Sequence, residues 1–251
     1  MKIFRKTREK LIKNKKIKDY LLYALGEIVL VVIGIYIALQ LNIGQTHKKE
    51  RIIEKVYLSN ILSDLQKEEL DLNAFIALRN SKSEAASRLI KYIEGQEVAD
   101  LVAYNKDLWH VFQWPVHHAN DNSFKELMNS GNLFKIKDNT IRQELLKLNA
   151  IYEQLAETRE HLRYEYHEFL YEEMVEVVDY DLMWNAESKE MLTTRDSIAI
   201  QKSIDETKGN MVLKNAYVMS KNNNAYMGMI CEKALKQVKQ IIPLIEKDLE
   251  K

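Results

Sequence analysis

Three histidines crowd one stretch of this chain. His110, His117 and His118 are interleaved with Trp109, Phe112 and Trp114 and flanked by Asp107 and Asp121. Imidazole and carboxylate are common ligands of transition metals. Asp107 and His110 are three residues apart, so on a helix they share a face. The spacing nevertheless fits no familiar metal signature, since neither His-Glu-x-x-His nor Glu-x-x-His occurs anywhere. Tryptophan and tyrosine are enriched at interfaces. Trp109, His110, Trp114, His117 and His118 are therefore candidates for a partner-binding surface. A metal-dependent or other hydrolytic enzyme is the alternative, and a packed aromatic cap with surface histidines is the plainest reading.

Other groups offer less. Glu157, His161, Glu165 and Glu168 lie close in sequence, and His161 and Glu165 can touch across one helical turn. Such a pair could exchange protons, but it reads equally as a solvated helix face. Cys231 is the single cysteine, so no intrachain disulfide can form. It falls on an apolar stripe, as a buried inert thiol or the half of an intermolecular bridge. Ser197 lacks a Gly-x-Ser-x-Gly setting, and there is no glycine-rich phosphate loop. No catalytic residue, metal ligand or cofactor is assigned.

Glu27 is the sharpest single residue. It is the one charge within Tyr20–Ile43, an otherwise apolar run. As a helix that run is about 36 Å long, enough to cross a hydrocarbon core of about 30 Å with some tilt. A carboxylate there costs a few kcal/mol and usually faces a partner or a polar cavity. Glu27, Gly34 and Ala38 fall on one face at 100° per residue, and Gly34-x-x-x-Ala38 is a small-x-x-x-small packing pattern. The three are expected to pack against another membrane helix. Glu27 could instead reach the cytoplasmic headgroups, or serve an ion-driven complex of which this chain is an accessory subunit.

Charge orients the run. Residues 1–19 carry nine Lys/Arg against Glu9 and Asp19, whereas only Lys48, Lys49, Arg51 and Lys55 follow closely on the other side. The more basic flank stays in the cytoplasm, and it can touch anionic headgroups. Residues 44–251 carry a net negative charge, which argues against a nucleic-acid partner. The apolar run is longer than a signal-peptide core and lacks a small-x-small site after it. It is expected to remain as a single-pass anchor.

Two segments carry a resemblance. FRKTREKLI followed by YLLYALGEIVLVVIGIYIALQLN, and then SFKELMNSGNLFKIKD at Ser123–Asp138, resemble an uncharacterised family of single-span inner-membrane proteins from Bacteroidetes-type bacteria. The departure at Asn42-Ile43-Gly44-Gln45, where that family usually has tryptophan and acidic residues, leaves the rest of the match in place. The resemblance implies a bacterial inner-membrane protein with an exported, periplasmic helical domain, and no particular activity.

Around these residues the elements must be helical. Glycine and proline are scarce, with 7 and 2 residues. Apolar residues recur at spacings of three and four in three segments, Leu58–Ile93, Ile141–Val177 and Val212–Leu249. The first stripe reads Leu58, Leu62, Leu65, Leu72, Ile76. The second runs from Ile141 to Tyr166 and Phe169, with Arg159 on it. The expected fold is all-α. It comprises a basic tail (1–19), a transmembrane helix (20–43) and an extracytoplasmic antiparallel bundle with coiled-coil-like packing (44–251), carrying a short-helix insert at about 96–137. Within the insert, Ser123 and Glu126 predict a capping box, Gly131 a helix stop and Asp138 the next N-cap. Pro243 predicts a kink or restart in the last helix, and Asn222-Asn223-Asn224 a weak point. The function expected is a membrane-anchored interaction or scaffold module, with the bilayer and an envelope protein or a second copy as partners.

Overall fold

Between Gly44 and Gly95 the chain has neither glycine nor proline, so nothing there breaks a helix. In the computed structural model, which describes residues 17–186 and 191–251, helix α1 runs Ile17–Ile93 and passes through Gly44. No strand occurs among the described residues. Most of the expected basic tail, as far as residue 16, lies outside them. The chain forms two compact units, Met1–Val56 and Tyr57–Lys251.

In the first unit the Leu, Ile and Val side chains from 21 to 43 stand exposed, from 39% for Ile43 to 73% for Leu22. An 18-residue window here has mean hydropathy 2.4 with none of it buried. Among the described residues this is the one helix long and apolar enough to cross a membrane, a description that a signal sequence also meets.

In the second unit the seam of buried positions on α1 runs Leu58, Ile61, Leu65, Glu68, Leu72, Phe75, Arg79, Lys82, Ala86, Leu89 and Ile93, with buried Ala85 beside it. The spacing alternates three and four without a slip, a heptad seam. The stripe expected through Leu62 and Ile76 is therefore corrected by one residue. Both are only partly buried, because the true seam runs through charged positions that an apolar count passes over. Helix α4, Asn139–Glu165, buries Ile141, Leu145, Leu148, Leu155 and Leu162 on the same rhythm. Helix α8, Met211–Leu249, buries Leu213, Tyr217, Ser220, Asn224, Met227, Cys231, Ala234, Val238, Ile241 and Ile245. These three stripes supply most of one core.

Neither expected weak point interrupts α8. The helix is continuous through Pro243, which removes a single N–H and does not restart it. Asn224 is fully buried and donates to the Ser220 carbonyl and the Tyr166 hydroxyl, so the asparagine run is held from within. After α4 the chain makes a π-helical turn, Tyr166–Tyr171, before α5, Glu172–Val177. The wider turn puts Leu170 in the core and leaves Phe169, expected on the stripe, 42% exposed.

The connections hold short helices. In the first lie α2, Leu101–Phe112, and α3, Asn122–Asn129. Ser123 is inside α3, and the expected capping box with Glu126 does not form. The Ser123 N–H donates instead to the Asp64 carboxylate of α1, at 3.0 Å. Gly131 does end the segment, at φ +67°. Asn132 N–H returns to the Leu127 carbonyl and Gly131 N–H to that of Met128, a Schellman closure. Asp138 caps α4 by accepting from Thr140 and Ile141. The second connection holds α6, Tyr180–Trp184, and α7, Thr194–Thr207, the latter with a capping box between Thr193 and Asp196.

Candidate functional site

Charged residues at seam positions of α1 need partners, because an unpaired buried charge is costly. Each of the three finds them on the insert. Glu68, fully buried, accepts from His117 Nε2 at 2.9 Å and from the backbone and side-chain nitrogens of Asn120. Burial alone would raise its carboxyl, but the bonds from His117 and Asn120 outweigh this and hold it below the usual range. Arg79 donates to the Pro115 carbonyl at 2.7 Å and to Asn224 Oδ1 at 2.9 Å, with its guanidinium 4.4 Å from the Phe75 ring centre. The Lys82 ammonium donates to the carbonyls of His110, Val111 and Gln113. It thus closes the C-terminus of α2, where the helix dipole favours a cation. Burial first, and the Arg79 charge second, push Lys82 down to about 7.

Further along, Arg88 grips Asp107 with two bonds of 2.8 and 2.7 Å. Helix α1 therefore holds the insert by its backbone and by matched charges at several successive turns.

Between this clamp and α4 lies a cavity of about 440 Å³. It is lined by Phe75 and Arg79 of α1, by His117 and His118, by Lys125 of α3, and by Tyr152, Leu155 and Arg159 of α4. Arg79, Tyr152 and Arg159 all stand at seam positions. The core opens here because these are long polar side chains where aliphatic ones would interdigitate. Tyr152 is held neutral by burial and by the charge of Glu68, both of which raise it.

The sequence candidates fall in different places. Trp109 packs on Trp184 at 5.1 Å between ring centres, and Trp114 sits edge-on to Tyr166 at 4.8 Å. His117 is inside, its side chain 6% exposed on Glu68. His118 is exposed at the cavity. Asp107, a possible ligand with His110, is committed to Arg88. No group of three or more His, Cys, Asp or Glu able to hold a metal occurs among the described residues. Cys231 is buried, its thiol pushed up to about 12 chiefly by burial. His161 is exposed on α4, and the Glu165 side chain lies outside the described residues. Glu27, Gly34 and Ala38 are exposed on α1.

Glu68, Arg79 and Lys82 were not among the sequence candidates. Their signal was available: each continues the three-four rhythm between apolar residues, as Arg159 does on α4. Compared with known proteins, the chain matches no family model, no curated protein and no solved structure.

Proposed function

We propose that the chain is a single-pass, membrane-anchored interaction module of the bacterial cell envelope. Residues 20–43 are the anchor, 1–19 stay in the cytoplasm, and 44–251 form an antiparallel bundle in the periplasm. The observation that carries this reading is the exposed apolar surface from 21 to 43, which nothing else in its own unit covers among the described residues. Apolar surface of that extent is stable only in lipid or against another protein. The basic flank supports the orientation, and the two stretches of family resemblance support the inner-membrane placement. The Gly209 N–H bond to the Ile93 carbonyl supports the antiparallel order, since α8 starts beside the end of α1.

The span's partner is an envelope protein or a second copy, met through Glu27, Gly34 and Ala38. A Cβ built on Gly34 meets no atom of this chain within 4 Å, so Gly34→Ile acts only on what lies outside it. Crosslinking the full chain in its native membrane, beside Gly34→Ile, tests this. Contacts of this kind are worth about 0.6–2 kcal/mol, so the variant should lose part of a discrete crosslinked species. Equal products from both chains, or none, would overturn the proposal.

A further inference from the structure

We infer that the cavity beside Arg79 is a binding site for a small organic anion, a carboxylate or phosphate carried on an apolar body. Arg79 is 1% exposed, and among the described residues no carboxylate pairs with it. Its bonds go to a carbonyl and an amide oxygen, which are neutral acceptors. Its Nε finds no hydrogen-bond partner in the protein, whereas the buried hydroxyl of Tyr152 lies beside Glu68. Both residues line the cavity. Buried polar atoms are rarely left unpaired, and an unpaired guanidinium N–H on a residue that lines a cavity points to an acceptor that the chain does not supply.

The charges around the cavity agree. Lys125 is neutralised by Asp121 at 2.9 Å, and Glu68 is taken up by His117 and Asn120. That leaves Arg79 and Arg159, whose one ion pair among the described residues is with its chain neighbour Glu160 at 3.5 Å. Two guanidiniums suit an oxyanion, because each presents a fixed fork of donors. The opposite wall is apolar, from Phe75, Leu155 and Met227. The volume lies within the range of small-molecule sites. A compact anion with a ring or short alkyl body fits both halves.

The test uses the full chain in nanodiscs of a zwitterionic phospholipid, so that no anionic headgroup competes. Phenyl phosphate, benzoate and neutral benzyl alcohol are titrated calorimetrically. Both anions should bind, and benzyl alcohol should bind about tenfold more weakly or worse, since bonds to charged groups are worth about 1.5–3 kcal/mol. Arg159→Gln, at a partly exposed position, should weaken the anions by a similar factor while leaving the thermal midpoint of the unliganded chain within about 2 °C. Arg79→Met should weaken them further, and Arg159→Gln carries the test if that variant does not fold. Three results would overturn the site: no anion binding tighter than about 10 mM, equal binding of benzyl alcohol, or anion binding indifferent to Arg159→Gln.

Discussion

Lys82 shows how a single side chain can decide a local structure. A helix leaves its last carbonyls without intrahelical donors, and α2 ends facing the interior. A glycine closure would have served, but Gln113 and Trp114 stand there instead. The ammonium supplies the donors. Lys82→Met keeps the apolar stem and removes them, so unfolding of the full chain should ease by about 1–3 kcal/mol, seen as a lower calorimetric midpoint. The same residue makes stability depend on pH. Its value is about 7 in the fold and about 10.4 in an unfolded chain. Between these the unfolded chain holds the extra proton, so stability rises with pH. Above about 8.5 the raised thiol of Cys231 acts in the opposite sense, because the unfolded chain then ionises where the fold does not. The clean window is pH 7–8.5, over which the midpoint should climb by about 3–6 °C and stay flat in Lys82→Met. A flat profile in the parent chain would mean that the three carbonyls keep the proton in place.

The seam of α1 distinguishes neighbouring residues that composition treats alike. Ile61 is 1% exposed, whereas Leu62 is only partly buried against the core. Ile61→Ala should cost about 2–5 kcal/mol and Leu62→Ala less than half as much, read from thermal unfolding of the full chain. Equal costs would place the seam where an apolar count puts it. That count recovers three helical segments with their C-terminal limits at Ile93, Val177 and Leu249, since periodicity is a property of neighbours in sequence. It misses what distant residues supply. Ser123 looks like an N-cap until Asp64, a whole helix away, takes its N–H. Phe169 looks like core until the π-helical turn rotates it outward. Glu68, Arg79 and Lys82 look like surface because burying a charge is costly, and only the insert folded against them supplies the partners. The cavity was illegible for the same reason. Of its polar seam residues, Tyr152 and Arg159 fall on the stripe that periodicity predicts for the second segment, and Arg79 on none. The helix α7 could have been found, since Thr193-x-x-Asp196 is a capping signal in the sequence itself.

At the scale of the molecule, the packed core begins at Leu58 and the exposed apolar run ends at Ile43. The proposed topology assigns these parts different surroundings, and a fusion settles it. A reporter that is active only outside the cytoplasm, joined after Lys251, should be active, and a cytoplasmic reporter at the same point should be silent. The reverse pattern would put the charge asymmetry of the flanks aside as a guide to this chain.

Synthesis meets the polar seam before its partners exist. The stripe of α1 leaves the ribosome first, and α8, which completes the core, leaves last. At about 5–20 residues per second the interval is roughly 8–30 s. An unbroken greasy stripe would spend that time ready to stick to other chains. Glu68, Arg79 and Lys82 cut it into short apolar runs, Leu58–Leu65, Leu72–Phe75 and Ala85–Ile93. The charges that clamp the insert in the finished protein thus also shorten each apolar run that the newborn helix presents while it waits.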